Sequence, residues 1–215
     1  MKFGLKDVKG TATNRLKAWN IYDVVLRSVS YEKGTSKNGK DWQGMKVSFS
    51  GDDGVFDKTF FCPSEGGDER LSGETNDRKW TLPSNVEVFE RTLAHLGENL
   101  SPDKYKKFKE LEFNLPDDFE KLVNSFKEVM TPALNKTTHL KLIANKQGYA
   151  DIPSFVGINS KTDEAYINNN WVGKNVTFSD REIKNMNKAR EAKPTDAPSV
   201  DKAPENSDLD FSTDI

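Results

Sequence analysis

One cysteine and two histidines stand in a chain of 215 residues. Cys62 has no partner for an internal disulfide, so a disulfide framework is excluded. With His95 and His139 as the only imidazoles, there is no zinc cluster and no plausible Cys–His pair. No phosphate loop or dinucleotide fingerprint occurs. No apolar run approaches the ~20 residues a bilayer span requires, and the N-terminus lacks the apolar core of a signal peptide. These absences predict a cytoplasmic protein without cofactor or metal, and not an enzyme. Asp52, Asp53 and Asp57 are better explained by the turn Gly51-Asp52-Asp53-Gly54 than by a metal site. A carboxylate nuclease stays open at this level, because the convergence of acidic side chains is invisible in a sequence.

Net charge is also scarce, at -2. That figure hides a segregation. Residues 1–50 carry net +6, residues 51–134 net -7, residues 135–190 net +4 and residues 191–215 net -5. The basic segments are those richest in candidate strands. A flat count argues against a nucleic-acid partner, but local patches set the attractive field, and their distribution permits one.

The clearest pattern lies in residues 19–62. Met45, Val47 and Phe49 alternate with Gly44, Lys46 and Ser48, the period of a half-buried strand. Flanking runs over 19–30 and 55–62 read as two more strands. A basic turn over 32–41 and the tight Gly51–Gly54 turn join them. The expected unit is a three-stranded antiparallel meander, as at the start of an OB-like barrel. Residues 1–18 form a basic N-terminal arm that either docks or frays. Residues 63–83 read as a long loop. Residues 84–131 take helical spacing: a capping box at Ser84 and Glu87 with a stop at Gly97, a second helix at Ser101-Pro102, and a third from Phe119 to Met130. They read as an insertion. Strands return over 138–145, 149–156, 165–167 and 172–178, with Pro153 demoting part of the second to an edge or bulge, and a short basic helix is expected over 180–190. From residue 191 the chain is Pro-rich and poor in large apolar residues until its last eight, which predicts a disordered acidic tail. The fold class is thus α+β, mainly β, with residues 19–190 as the domain and 191–215 as the tail.

This layout resembles the single-stranded DNA-binding proteins of bacteria and their phages. These have an OB-fold, a linker and an acidic tip with one or two hydrophobes. Asp208, Leu209, Asp210, Phe211, Asp214 and Ile215 are similar in type to that tip, although the common bacterial tip is richer in Asp and ends in Pro-Phe. The helical insertion points to a phage-type variant, which would act in the host cytoplasm. The resemblance implies sequence-independent single-stranded DNA binding in replication, recombination and repair. It also implies that replication and recombination proteins are recruited as partners through the tip.

Binding of this kind needs cations for phosphates and flat rings for bases. The candidate cations are Lys33, Lys37, Lys40, Lys46, Lys58, Lys141 and Lys146. The candidate rings are Tyr31, Trp42, Phe60 and Tyr149, of which Trp42 and Phe60 can equally be core. Two other functions fit the same sequence. One is a virion or scaffolding assembly protein that binds no nucleic acid. The other is a single-strand annealing mediator.

Overall fold

The computed structural model describes residues 14–191 except 65, 66, 76, 77, 154, 155, 160–163, 168 and 169. Among the described residues, ten strands and four α-helices follow one another. Strands β1 (Asn20–Thr35), β2 (Asp41–Gly51) and β3 (Gly54–Phe61) come first, then a small hairpin of β4 (Ser72–Thr75) and β5 (Arg78–Thr81). Helices α1 (Asn85–Leu100), α2 (Pro102–Phe108) and α3 (Phe119–Met130) follow. The chain then forms β6 (Thr137–Ala144), β7 (Ala150–Asp151), β8 (Val156–Asn159), β9 (Glu164–Ile167), β10 (Val172–Gly173) and α4 (Asp180–Glu191).

The main sheet runs in the order β10-β6-β1-β2-β3, with β7 pairing β6 off that path. Its pairings are antiparallel. It makes a curled half-barrel that α3 and the adjoining helices fill from one side, an architecture compatible with an OB-like fold. The meander expected over 19–62 is present. β1 is longer than its sequence pattern suggests, because its register with β2 shifts between Leu26 and Ser28. Before that bulge Tyr22, Val24 and Leu26 are the buried set; after it the set is Val29 and the half-buried Tyr31. A bulge inserts one residue and swaps the inward parity, which obscures a single alternation over 16 residues. Met45, Val47 and Phe49 of β2 are buried as the alternation requires.

The helical block obeys its sequence signals in part. Ser84 Oγ accepts from Glu87 N–H at 3.1 Å, and Glu87 Oε2 accepts from Ser84 N–H at 2.7 Å. Arg70 Nε donates to Glu87 Oε1 at 2.8 Å, which ties the preceding loop to the head of α1. That hydrogen bond is the largest influence holding the Glu87 carboxyl below its usual range. Gly97 does not end α1. The helix continues to Leu100, and Gly97 instead makes room for Tyr105, whose ring would meet any Cβ there. Phe119, Leu122, Val123, Phe126, Val129 and Met130 of α3 are all buried, as their spacing predicts.

Three further expectations are corrected. The loop over 63–83 contains the β4–β5 hairpin. The strand expected over 149–156 splits at buried Ile152 and Pro153 into β7 and β8, since proline has no N–H for a ladder. The strand expected over 172–178 is only two residues long. At the other end of the domain, part of the expected arm belongs to the fold. Leu16 is buried, and its N–H donates to the Val55 carbonyl at 3.0 Å. Residues 1–13 and the tail over 192–215, including the tip, lie outside the described residues.

Candidate functional site

The β1–β2 hairpin and β3 present two faces, and the sequence candidates divide between them. Tyr31 and Phe60 lie on the inner face. The Tyr31 ring centroid is 6.3 Å from that of buried Phe119, its hydroxyl donates to Gln43 Oε1 at 2.8 Å, and Phe60 packs against the core. Neither presents a ring to the outer face.

Trp42 is on the outer face. Its indole meets Phe61 edge to face, with 5.6 Å between centroids and an interplanar angle of 85°. The indole lies across Gly34, the residue opposite it on β1; a Cβ there would stand 2.9 Å from Trp42 Cζ2. Phe61 is 45% exposed. It was missed among the sequence candidates, yet a signal exists. Val55, Asp57, Thr59 and Phe61 share one parity of β3, while Phe56 and Phe60 share the other. A large ring in a set with Asp57 and Thr59 faces away from the core.

The cations also divide. Lys33 ends up on β1, because that strand runs on to Thr35, and the turn proper spans Ser36 to Lys40 with Gly39 at φ 73°. Lys33, Lys37 and Lys40 are exposed and make no ion pair among the described residues. Lys46 lies on the outer face between Glu32 at 3.5 Å and Asp57 at 3.9 Å, so its charge is locally compensated. Lys58 points inward and pairs with Asp151 at 2.8 Å, joining β3 to β7 across the open side of the curl. Two residues before Asp151, Tyr149 is 64% exposed beside the exposed Lys146 on the β6–β7 turn.

Lys141 is corrected outright. It is 1% exposed, its Nζ lies 3.0 Å from Glu182 Oε2, and it donates to the Thr177 carbonyl at 2.9 Å. The alternation of β6 does turn it away from Leu140 and Leu142. The first turn of α4 covers that face, so this ammonium anchors a helix and cannot reach a phosphate.

Cys62, next to Phe61, has its thiol pushed up to about 11 by burial, so it is protonated near neutrality. His95 lies away from this face. Its Nε2 accepts from Trp171 N–H at 3.4 Å, and burial, with Arg91 and Lys141 nearby, pushes its imidazole down to about 4. Among the described residues no group of three or more His, Cys, Asp and Glu could hold a metal ion, and no helix is long and apolar enough to cross a membrane. Comparison with family models, with curated proteins and with solved structures finds no match.

Proposed function

We propose that this protein binds single-stranded DNA without marked sequence preference, on the outer face of the β1–β2–β3 meander. The observation that carries the reading is the Trp42–Phe61 ring pair, set on a glycine-floored surface beside a hairpin turn whose exposed Lys37 and Lys40 make no ion pair among the described residues. Base stacking on such a ring contributes roughly 1–3 kcal/mol per base and tolerates any base, because every base has a flat face. Lys37 and Lys40 of the turn supply phosphate contacts, whereas Lys33, opposite Gln43, shares the inner parity of Tyr31; Lys146 and Tyr149 supply a further cation and ring from the β6–β7 turn. Lys46 contributes less, because Glu32 and Asp57 hold it. The acidic tail recruits replication and recombination partners and competes with DNA for the basic surface, since the two carry opposite charge.

The test is fluorescence anisotropy of a labelled oligo(dT) of ~30 nucleotides at low and moderate salt, with duplex of equal length as competitor. Binding that weakens steeply with salt and resists the duplex supports the proposal, because phosphate neutralisation releases counterions and gives that slope. Absence of binding at low salt refutes it and favours an assembly protein.

A further inference from the structure

Helix α4 has almost no apolar hold on the fold. Of its 12 residues only Glu182 is buried and only Met186 is half-buried. Isolated helices of this length are marginal in water, and a helix ordinarily attaches to a fold through an apolar stripe. Here the attachment is polar. Glu182 meets Lys141 at 3.0 Å, Lys141 donates to the Thr177 carbonyl at 2.9 Å, and Ser179 N–H donates to Glu182 Oε2 at 2.7 Å. All of these contacts act at or before the first turn. From Ile183 to Glu191 every side chain except Met186 is exposed.

The exposed side of α4 is basic. At ~100° per residue, Arg181, Lys184 and Lys188 fall within ~60° of one another, roughly opposite Glu182 and Met186. All three are exposed and make no ion pair among the described residues. Asp180 and Glu191 border this stripe at its two ends. At 1.5 Å per residue the stripe is ~10 Å long, the length of about three phosphates spaced at ~3.4 Å.

The helix is fastened to the face that carries the ring pair. Lys141 of β6 lies opposite Ile21 of β1, and Trp42 of β2 lies opposite Gly34 of β1. Tyr22 is buried before the β1 bulge and Tyr31 is half-buried after it, so Ile21 and Gly34 both turn outward. Lys141 and Trp42 thus share one outer face, ~43 Å apart along β1 at ~3.3 Å per residue. A single strand of ~30 nucleotides covers that distance even at a stacked spacing of ~3.4 Å.

We propose that α4 is a second phosphate-binding element, in which Arg181, Lys184 and Lys188 hold the backbone of the single strand whose bases lie on Trp42 and Phe61. This role rests on the strand-binding reading of the outer face. A phosphate track needs cations and no apolar anchor. A protein interface instead centres on aromatic and apolar side chains and is poor in lysine. The stripe has the first composition. The buried Lys141–Glu182 pair, which adds little stability over apolar packing, sets where the stripe points.

The test compares full-length chains by oligo(dT) anisotropy across a salt series. Each phosphate contact on a single strand adds about 0.7 to the slope of log affinity against log salt. Arg181→Gln, Lys184→Gln and Lys188→Gln together are expected to make that slope shallower by about 2, and to weaken binding at low salt roughly tenfold or more. Glutamine keeps helix propensity, and far-UV circular dichroism checks that α4 remains. If that signal falls, Lys184→Gln alone is read, with an expected change of about 0.7. Lys104→Gln, Lys107→Gln and Lys109→Gln remove equal charge from exposed positions at α2, among the helices that fill the curl, and are expected to leave the slope unchanged. Phe61→Ala is expected to weaken binding at constant slope. A parent chain that binds, with an α4 variant of equal slope, overturns the proposal and leaves the ring face in place. Equal shallowing by the α2 variant also overturns it, since net charge alone would then be responsible. No binding by the parent chain overturns the strand-binding reading, and this role of α4 with it.

Discussion

Lys141 Nζ and Glu182 Oε2 are 3.0 Å apart, with side chains 1% and 8% exposed. The pair fastens the first turn of α4 to the outer face of β6. Glu182 also caps its own helix, accepting from Ser179 N–H at 2.7 Å, and its Oε1 is buried with no hydrogen-bond partner among the described residues. Removing one member of such a pair strands the other charge in a dry site. Lys141→Met is therefore expected to cost about 3–5 kcal/mol. Lys141→Met combined with Glu182→Leu should recover much of that loss, because no buried charge remains. Urea unfolding of the two single variants and the double closes the cycle. A loss below ~1 kcal/mol for Lys141→Met would show that the pair is solvated.

That pair marks where sequence reasoning stops. The alternation of β6 locates Lys141 on the face opposite Leu140 and Leu142, which is right. What covers that face is a helix 41 positions further on, and local periodicity carries no trace of it. The same limit applies to Lys58, whose partner Asp151 is 93 positions away. Features set by neighbours along the chain were legible: the β2 alternation, the Gly51–Gly54 turn, the Ser84–Glu87 capping box and the α3 stripe. Gly97 misled because a helix tolerates glycine where a ring must approach. Phe61 was legible in the parity of β3, and only the stronger signal of Phe60 obscured it.

His95 sets a pH dependence. Its imidazole is pushed from the usual value near 6.5 down to about 4, chiefly by burial. Between those values the unfolded chain binds a proton that the folded chain does not, so stability falls as pH drops through the window. The loss is fully developed near pH 4, on the order of 3 kcal/mol. His95→Gln should flatten the dependence of the urea midpoint on pH between 6.5 and 4. An unchanged slope would assign the acid sensitivity to other groups.

Gly34 is the floor under Trp42. A Cβ at this position would lie within 3.1 Å of three indole atoms, so the ring must move. Gly34→Val is expected to shift the Trp42 indole N–H resonance and to weaken oligo(dT) binding about as much as loss of one stacked base, roughly tenfold. Global stability should change by less than ~1 kcal/mol, since the site is at a hairpin end. Weaker binding with an unmoved indole resonance would locate the effect elsewhere.

The tail and the hairpin carry opposite charges. Removing residues 207–215 is therefore expected to tighten oligo(dT) binding at low salt, with the difference fading as salt screens both partners. Titrations of the full and shortened chains across a salt series measure it. Equal affinities at low salt would show that the tip does not compete.

The most direct measurement compares Phe61→Ala with Phe60→Ala, each assayed for oligo(dT) affinity and for thermal stability. Phe61 stands on the outer face, and Phe60, half-buried, packs against the core from the inner face. Phe61→Ala should weaken binding by about 1–3 kcal/mol, roughly 5- to 150-fold, at nearly unchanged stability. Phe60→Ala should cost about 3 kcal/mol of stability, with smaller effect on the affinity of the folded fraction. Affinity unaltered by Phe61→Ala, in a chain that otherwise binds the oligonucleotide, would contradict the outer-face site.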